Sequence, residues 1–164
     1  MEFALRDFRD EEIETLWRID QRCFAPGISY SHLELDTYLR RPGAFALVAD
    51  SNVPGDSAVP VGFIVAEAGR RGSGHIITID VLPDSRRGGI GSQLLQAAED
   101  RLRAAHCHAV VLETAVDNQV ALSFYKRHHY SVIKTWPRYY SNGVDAFVLK
   151  KDLLSPAEPA KLPQ

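Results

Sequence analysis

The chain of 164 residues is poor in cysteine and contains a single methionine. Its two cysteines, Cys23 and Cys107, lie in segments with apolar periodicity and lack the spacing of metal ligands. The histidines likewise have no carboxylate or cysteine partner at ligand spacing, so we expect no metal site. Two buried thiols of this kind suit a reducing compartment, and we expect a cytoplasmic protein.

Charge of one sign and long apolar runs are also missing. Lys and Arg total 19 and Asp and Glu total 21, for a formal net charge of −2, which gives no electrostatic reason to expect nucleic acid or a membrane surface as a partner. No apolar run approaches the roughly 20 residues of a membrane-spanning helix, and the first residues do not resemble a signal peptide. The composition, 45% hydrophobic, is that of an ordinary globular domain.

Hydrophobic periodicity predicts an alternation of strands and helices. Strand–helix–strand order at the centre implies a right-handed crossover between two parallel strands. We expect one domain over residues 1–154 and a disordered, proline-rich tail over residues 155–164. The predicted strands are 2–6, 44–49, 59–68, 75–81, 109–113, 130–135 and 144–150, and the predicted helices are 10–24, 29 or 31 to 41, 90–105 and 118–128.

A glycine-rich, basic turn between the strand 75–81 and the third helix is the most informative segment. It reads Arg86-Arg87-Gly88-Gly89-Ile90-Gly91-Ser92. Amides in the first turn of a helix have no intrahelical partner and carry partial positive charge. Glycine also lets a phosphate approach the backbone closely. The turn therefore predicts a site for a phosphorylated ligand.

Two common nucleotide motifs do not fit this turn. A dinucleotide site needs a third glycine, and Leu94 stands at that position. The Gly-Lys-Ser or Gly-Lys-Thr of a P-loop does not occur. The pattern Arg86-x-x-Gly89-x-Gly91 instead resembles the loop with which the GNAT superfamily of N-acetyltransferases holds the pyrophosphate of acyl-coenzyme A. A turn that merely joins strand to helix is the plainer alternative.

Two later segments extend the resemblance. Residues 113–126, with Asn118, Ala121 and Tyr125, resemble a later motif of the superfamily on its fourth helix. The segment 138–146 is similar to a hairpin of a narrower branch, which contains ribosomal-protein alanine N-acetyltransferases and other protein N-terminal acetyltransferases. The resemblance covers roughly residues 5–153. It implies a single-domain α/β fold, with a mixed, mostly antiparallel twisted sheet of about six or seven strands, about four flanking helices and a parallel central strand pair.

The resemblance implies acetyl-coenzyme A (acetyl-CoA) as the cosubstrate and no metal. The amides of residues 86–92 would wrap the pyrophosphate, and the backbone of the strand at Ile79 and Val81 would pair with the pantetheine arm. Asn118 would contact coenzyme A, although it could equally cap the fourth helix. Arg86 and Arg87 could add charge to the phosphates or simply be solvated.

The implied reaction is direct attack of an amine on a thioester. It requires removal of a proton from the amine and a proton for the departing thiolate. Glu113 is the candidate base, at the end of its predicted strand, and Tyr125 is the candidate acid; His75 could relay a proton through water. The plainer alternatives are a carboxylate in an ion pair, a core tyrosine and a surface histidine.

The expected acceptor is a protein or peptide α-amine. A small-molecule amine, or a non-catalytic acyl-CoA sensor, remains an alternative, and the chain could be a monomer or a homodimer. His129 stands where the family usually has glycine, and a left-handed conformation there would cost ~1 kcal/mol. The candidate acceptor-binding residues are Phe24, Ile28 and Tyr30, in a segment that departs from the relatives, together with His75, Tyr139 and Tyr140.

Overall fold

The structure is a computed structural model that describes residues 2–52 and 54–153. This part of the chain forms four α-helices and one seven-stranded sheet, together with two short 3-10 turns at 10–12 and 83–85. The predicted tail, 155–164, lies outside the described residues. The strands are β1 (Phe3–Asp7), β2 (Ala44–Ser51), β3 (Val59–Ala68), β4 (Ser73–Val81), β5 (Ala109–Ala115), β6 (Ser131–Trp136) and β7 (Ala146–Asp152), and the helices are α1 (Ile13–Cys23), α2 (His32–Leu39), α3 (Ile90–Ala104) and α4 (Gln119–Arg127).

Every predicted strand and helix is present, with boundaries that shift by a few residues. β4 begins at Ser73, two residues earlier than predicted, because it pairs there with Ala109 of β5. β5 runs on to Ala115, which pairs with Ala146 of β7. The prediction that Glu113 ends its strand is therefore wrong, since the partner strand extends the pairing by two residues.

The strand order in the sheet is β1-β2-β3-β4-β5-β7-β6. All neighbouring strands are antiparallel except β4 and β5, which are parallel. Parallel neighbours need a crossover connection, and α3 supplies it. The mixed, mostly antiparallel sheet with one central parallel pair confirms the predicted fold.

The two faces of the sheet carry different helices. α1 and α2 pack on one face, where Leu16 and Leu35 are fully buried with Phe63 of β3. α3 and α4 pack on the other, where Leu94 and Leu122 join a larger cluster. None of the helices in the described residues is long and apolar enough to span a membrane.

The sheet opens between β4 and β5. Their pairing runs only from Ser73 with Ala109 to His75 with Val111, although both strands continue beyond these residues. On the other edge of β4, the register against β3 shifts so that Ile77 has no partner and forms a bulge. A bulge bends its strand and increases the local twist. The two central strands therefore diverge from His75 onward and leave a gap between them, where the Ile77 and Val81 carbonyls of β4 are bonded to side chains.

Candidate active site

The glycine loop (residues 86–92) leads into the first turn of α3. Gly89 is the N-cap of the helix with φ of 85°, and no side chain caps it. The first helical hydrogen bond runs from the Gln93 amide to the Gly89 carbonyl at 3.0 Å, so the earlier amides have no partner within the helix. A Cβ built on Gly89 meets no described atom within 4 Å. These residues fit the phosphate groups of coenzyme A.

The side chains around the glycine loop join it to neighbouring elements. Arg86 Nε donates to the carbonyl of Val81 at 2.9 Å, and Cys23 Sγ lies 3.4 Å from the same oxygen. Ser92 Oγ lies 2.9 Å from His128 Nε2 at the end of α4. Val81 O is thus already engaged by side chains, whereas backbone pairing of Ile79 and Val81 with pantetheine stays a prediction. Arg87 has a left-handed backbone conformation, with φ of 71°.

Asn118 caps α4. Its side-chain oxygen accepts the Ala121 amide at 3.1 Å, which is the capping role that the sequence allowed. A coenzyme A contact by Asn118 stays a prediction.

His75 and Glu113 meet where the central strands diverge. His75 Nε2 lies 2.8 Å from Glu113 Oε1, and the two side chains are 32% and 11% exposed. The hydroxyl of Tyr139 donates to the same carboxylate oxygen at 3.5 Å, and burial raises the pKa of Tyr139 to about 12. The two strand residues and the hairpin tyrosine that sequence reasoning singled out are therefore brought together. Among the described residues, no group of three or more His, Cys, Asp or Glu side chains is arranged to hold a metal ion.

Tyr125 lies on α4 and is only 7% exposed. Its ring packs edge-on against Phe124 and Tyr130. Burial raises the pKa of Tyr125 well above its usual value, with a smaller contribution from the charge of Asp80. The hydroxyl is therefore neutral and holds the proton that a general acid must donate.

Two loops meet beside the His75–Glu113 pair. The α1–α2 loop (residues 24–31) carries Phe24, Ile28 and Tyr30, and the β6–β7 loop (residues 137–145) carries the adjacent Tyr139 and Tyr140. Ser141 Oγ donates to the Gly27 carbonyl at 3.1 Å and links the loops. The rings of Tyr139 and Tyr140 pack edge-on at 5.0 Å, and burial raises the pKa of Tyr140 above its usual value.

A cavity beside the α1–α2 loop does not contain the His75–Glu113 pair. It measures about 470 Å³ and is lined by residues of α1, the α1–α2 loop and α2 together with Ser141, among them Trp17 and Phe24. Neither His75 nor Glu113 lines it, so it is separate from the gap between β4 and β5. The Tyr30 hydroxyl is held away from solvent, since it donates to the Ile77 carbonyl of β4 at 3.1 Å.

Sequence reasoning missed two buried carboxyls near this site. Asp20 of α1 and Asp80 of β4 are 0% and 1% exposed. The burial of Asp20 could have been predicted from the sequence, because Asp20 lies on the apolar face of α1 that also carries Leu16, Trp17 and Cys23. Asp80 carries no comparable signal, since charged residues commonly alternate with apolar ones in a half-exposed strand.

The acetyltransferase (GNAT) family model matches residues 12–130. The chain belongs to the GNAT family. It is an N-acetyltransferase, which confirms the family, the fold and the class of enzyme expected from the glycine loop and the later motif. The family binds acetyl-CoA, and the open amides of the glycine loop are suited to it.

Several relatives resemble the chain over different lengths. An uncharacterized N-acetyltransferase of Methanocaldococcus jannaschii is 32% identical over 149 residues, which cover 90% of each chain. N-alpha-acetyltransferase 30 of Schizosaccharomyces pombe is 40% identical over 74 residues, 45% of this chain and 49% of that protein. A chain of the crystallised NatC complex bound to Gag peptide and CoA is 28% identical with a TM-score of 0.79, covering 93% of this chain and 99% of its own.

Proposed function

We propose that the protein transfers the acetyl group of acetyl-CoA to the α-amine of a peptide or protein. The observation that carries the proposal is the His75–Glu113 pair, which lies where β4 and β5 diverge. The similarity to N-alpha-acetyltransferase 30 and to a chain of a peptide-bound complex supports this class of acceptor.

The glycine loop and the gap between β4 and β5 would hold the cosubstrate. The amides of residues 86–92 would take its phosphates, and the edge of β4 beyond His75, which is not paired with β5, would lie along its pantetheine arm. When bound, acetyl-CoA supplies the thioester that the amine attacks. The side chains of the site then have three tasks, which are to orient the amine, accept its proton and return a proton to the thiolate.

His75 accepts the proton of the amine. An ionised carboxylate can only accept hydrogen bonds, so the 2.8 Å contact with Glu113 places the hydrogen on Nε2 of His75. Nδ1 is then the nitrogen with the free lone pair. Glu113 fixes this tautomer and stabilises the imidazolium that forms, as the carboxylate does in a catalytic triad. Because a peptide α-amine has a pKa of about 8, a base of moderate strength is sufficient.

Tyr125 returns a proton to the leaving thiolate. Its hydroxyl is neutral and sheltered by Phe124 and Tyr130, which keeps water from competing as the donor.

The loops favour a chain terminus over a lysine side chain. The Ser141–Gly27 hydrogen bond joins the α1–α2 and β6–β7 loops into a closed rim. A lysine amine has a pKa of about 10.4 and is almost fully protonated at neutral pH, so the same base would have to remove a proton from a much weaker acid. Tyr140 stands in the rim as a hydrogen-bond donor for a peptide backbone, and the Tyr139 oxygen, whose hydrogen is donated to Glu113, can accept from one.

A matched set of acceptors tests the proposal. The protein is incubated with acetyl-CoA and peptides with a free α-amine, the same peptides blocked at the α-amine but carrying lysine, or a polyamine. Release of free thiol and mass spectrometry of the products measure transfer, and we expect acetylation of the free α-amines. Transfer only to the polyamine would identify a small-molecule enzyme, and coenzyme A binding without any transfer would identify a sensor.

A further inference from the structure

Two buried carboxyl groups lie together between α1 and β4, outside the machinery described above. Asp20 accepts the Tyr30 amide on Oδ2 at 2.7 Å, and Asp80 accepts the Thr78 hydroxyl on Oδ1 at 2.6 Å. The other oxygens, Asp20 Oδ1 and Asp80 Oδ2, are buried and have no described partner. Burial is the main cause of the raised pKa of both carboxyls, and a hydrogen bond between them lowers the pKa of Asp20 and raises that of Asp80.

One proton satisfies both carboxyls. If Asp80 carries it on Oδ2, that oxygen donates to Oδ1 of Asp20, and Asp20 then accepts from Asp80 and from Tyr30. No acceptor is left unpaired, whereas two ionised carboxylates would leave buried charges without compensation. Burial, reinforced by the charge of Asp20, raises the pKa of Asp80 well above its usual value, in agreement with this placement of the proton.

The other charged and titratable groups that face the pair come from four elements. Glu34 of α2 acts on Asp20, and Arg86 of the glycine loop acts on Asp80. Cys23 of α1 and Tyr125 of α4 are both affected by the charge of Asp80. Arg86, the cation among these groups, is exposed and donates to the Val81 carbonyl rather than to either carboxyl.

The pair is connected to the α1–α2 loop through Tyr30. Asp20 holds the amide of Tyr30, and the neighbouring Gln21 donates from Nε2 to the Tyr30 carbonyl at 2.7 Å. The Tyr30 hydroxyl donates to Ile77 O at 3.1 Å, at the bulge of β4 and two residues from His75. Three hydrogen bonds therefore fix Tyr30 between α1 and the strand that carries His75.

We propose that Asp20 and Asp80 are positioning residues of the acceptor site: an acid–carboxylate pair that shares one proton and holds the α1–α2 loop in register with β4. The kinetic consequence of this role rests on the proposed function, while its structural consequence does not. Loss of the pair frees the Tyr30 amide, lets the loop move away from His75 and weakens binding of the acceptor amine. The glycine loop is bound to β4 separately, so affinity for coenzyme A is retained.

Two substitutions at one position test the role. Asp80→Asn keeps the shape of the neutral carboxyl and a donor toward Asp20, so we expect acceptor KM close to that of the wild-type protein. Asp80→Ala removes the donor, and we expect acceptor KM to rise roughly tenfold, the change that accompanies loss of about one buried hydrogen bond. The Kd of coenzyme A should stay within about twofold in both variants, since the altered contact is on the acceptor side.

Amide hydrogen exchange gives a readout that needs no turnover. We expect faster exchange at residues 24–31 in Asp80→Ala and unchanged exchange in Asp80→Asn. As a matched control, Glu99 is 1% exposed but lies on α3, with Tyr130 and Lys151 as partners. Glu99→Gln should lower stability without altering acceptor KM or exchange in the loop.

The outcomes separate the inference from the proposed function. Asp80→Asn exchanging as fast as Asp80→Ala in the loop would overturn the shared proton, and unchanged loop exchange in a folded Asp80→Ala would overturn the positioning role. If Asp80→Ala does not fold, normal exchange in Asp80→Asn supports the proposal and fast exchange overturns it. If no amine is acetylated by the wild-type protein, the proposed function fails and the exchange results still decide the role of the pair.

Discussion

His75 Nε2 and Glu113 Oε1 lie 2.8 Å apart across the only parallel strand pair among the described strands. Backbone pairing of β4 and β5 ends at His75 and Val111, so this side-chain contact connects the two strands at the point where their main chains separate. A charge-assisted hydrogen bond at that point holds the imidazole in one orientation. The fold thus places an oriented imidazole, the group that we propose as the base, beside the gap between β4 and β5.

Substitutions at the pair distinguish the base from the residue that orients it. We expect His75→Ala to lower kcat by about 10²- to 10⁴-fold, because it removes the group that accepts the proton. Glu113→Gln should cost less, since the amide oxygen still accepts the Nε2 hydrogen of His75. The measurement is steady-state kinetics with a free α-amine peptide. The opposite order, with Glu113→Gln the more damaging change, would make Glu113 itself the base.

Tyr125→Phe should lower kcat sharply, by about 10²-fold or more, and leave coenzyme A affinity nearly unchanged. Phenylalanine keeps the packing against Phe124 and Tyr130 and removes only the proton donor. Kinetics and calorimetric titration with coenzyme A measure the two effects separately. A matched control is Tyr130→Phe, which removes a hydroxyl bonded to Glu99 at 2.7 Å and should lower stability but not kcat. Unchanged turnover in Tyr125→Phe would leave Tyr125 as a core residue only.

The sequence was sufficient for the fold and for the parts of the site that follow from local patterns. Alternation and helical spacing predicted every strand and helix, and the sequence of the glycine loop predicted a strand-to-helix turn with an uncapped helix start, because these features depend on residues close together in the chain. The predicted end of β5 was wrong, since its last two residues are stabilised by pairing with β7. The two strands are separated by 30 residues of chain, and no local pattern can specify that pairing.

Relationships between distant residues could not be predicted. The Ser141–Gly27 bond joins loops that are 114 residues apart, and the contact of Asp20 with Asp80 depends on how α1 packs on β4. The direct His75–Glu113 contact could not be predicted either, because the separation of β4 and β5 is set by tertiary structure. Asn118 shows the opposite case, where a local preference for helix capping was enough.

Gly89→Ala should weaken acetyl-CoA binding by about tenfold or more. Alanine is strained by ~1 kcal/mol at the φ of 85° found there, and its methyl group would occupy the open space in front of the amides. Gly55→Ala is the matched control, since Gly55 has φ of 90° and equally open surroundings in the β2–β3 connection. It should lose similar stability with normal affinity, measured by thermal unfolding and calorimetric titration. Equal affinity in the two variants would contradict the phosphate-site assignment.

His129→Gly should stabilise the protein by up to about 1 kcal/mol. His129 has φ of 73° just after α4, so it adopts the left-handed conformation whose cost was weighed from the sequence. Its amide bonds to the Lys126 carbonyl at 3.1 Å, and the Tyr130 amide bonds to the Tyr125 carbonyl at 3.0 Å, as in a Schellman motif. Urea unfolding measures the gain, with His108→Gly as the control. A loss of stability in His129→Gly would show that the imidazole makes compensating contacts.

Asp80→Asn should change the pH dependence of stability in a definite direction. The folded protein raises the pKa of Asp80, whereas in the unfolded chain it is about 3.9. The contribution of Asp80 to stability is therefore fully present below about pH 4 and is lost as pH rises toward the folded pKa, because over that range the folded state still binds a proton that the unfolded state has released. Asparagine has no such proton, so the variant should gain on the wild type by as much as about 1.4 kcal/mol per pH unit above pH 4. Urea unfolding of both proteins between pH 4 and pH 8 measures the difference. A difference that does not change with pH would mean that Asp80 is ionised in the folded protein and that the proton shared with Asp20 does not exist.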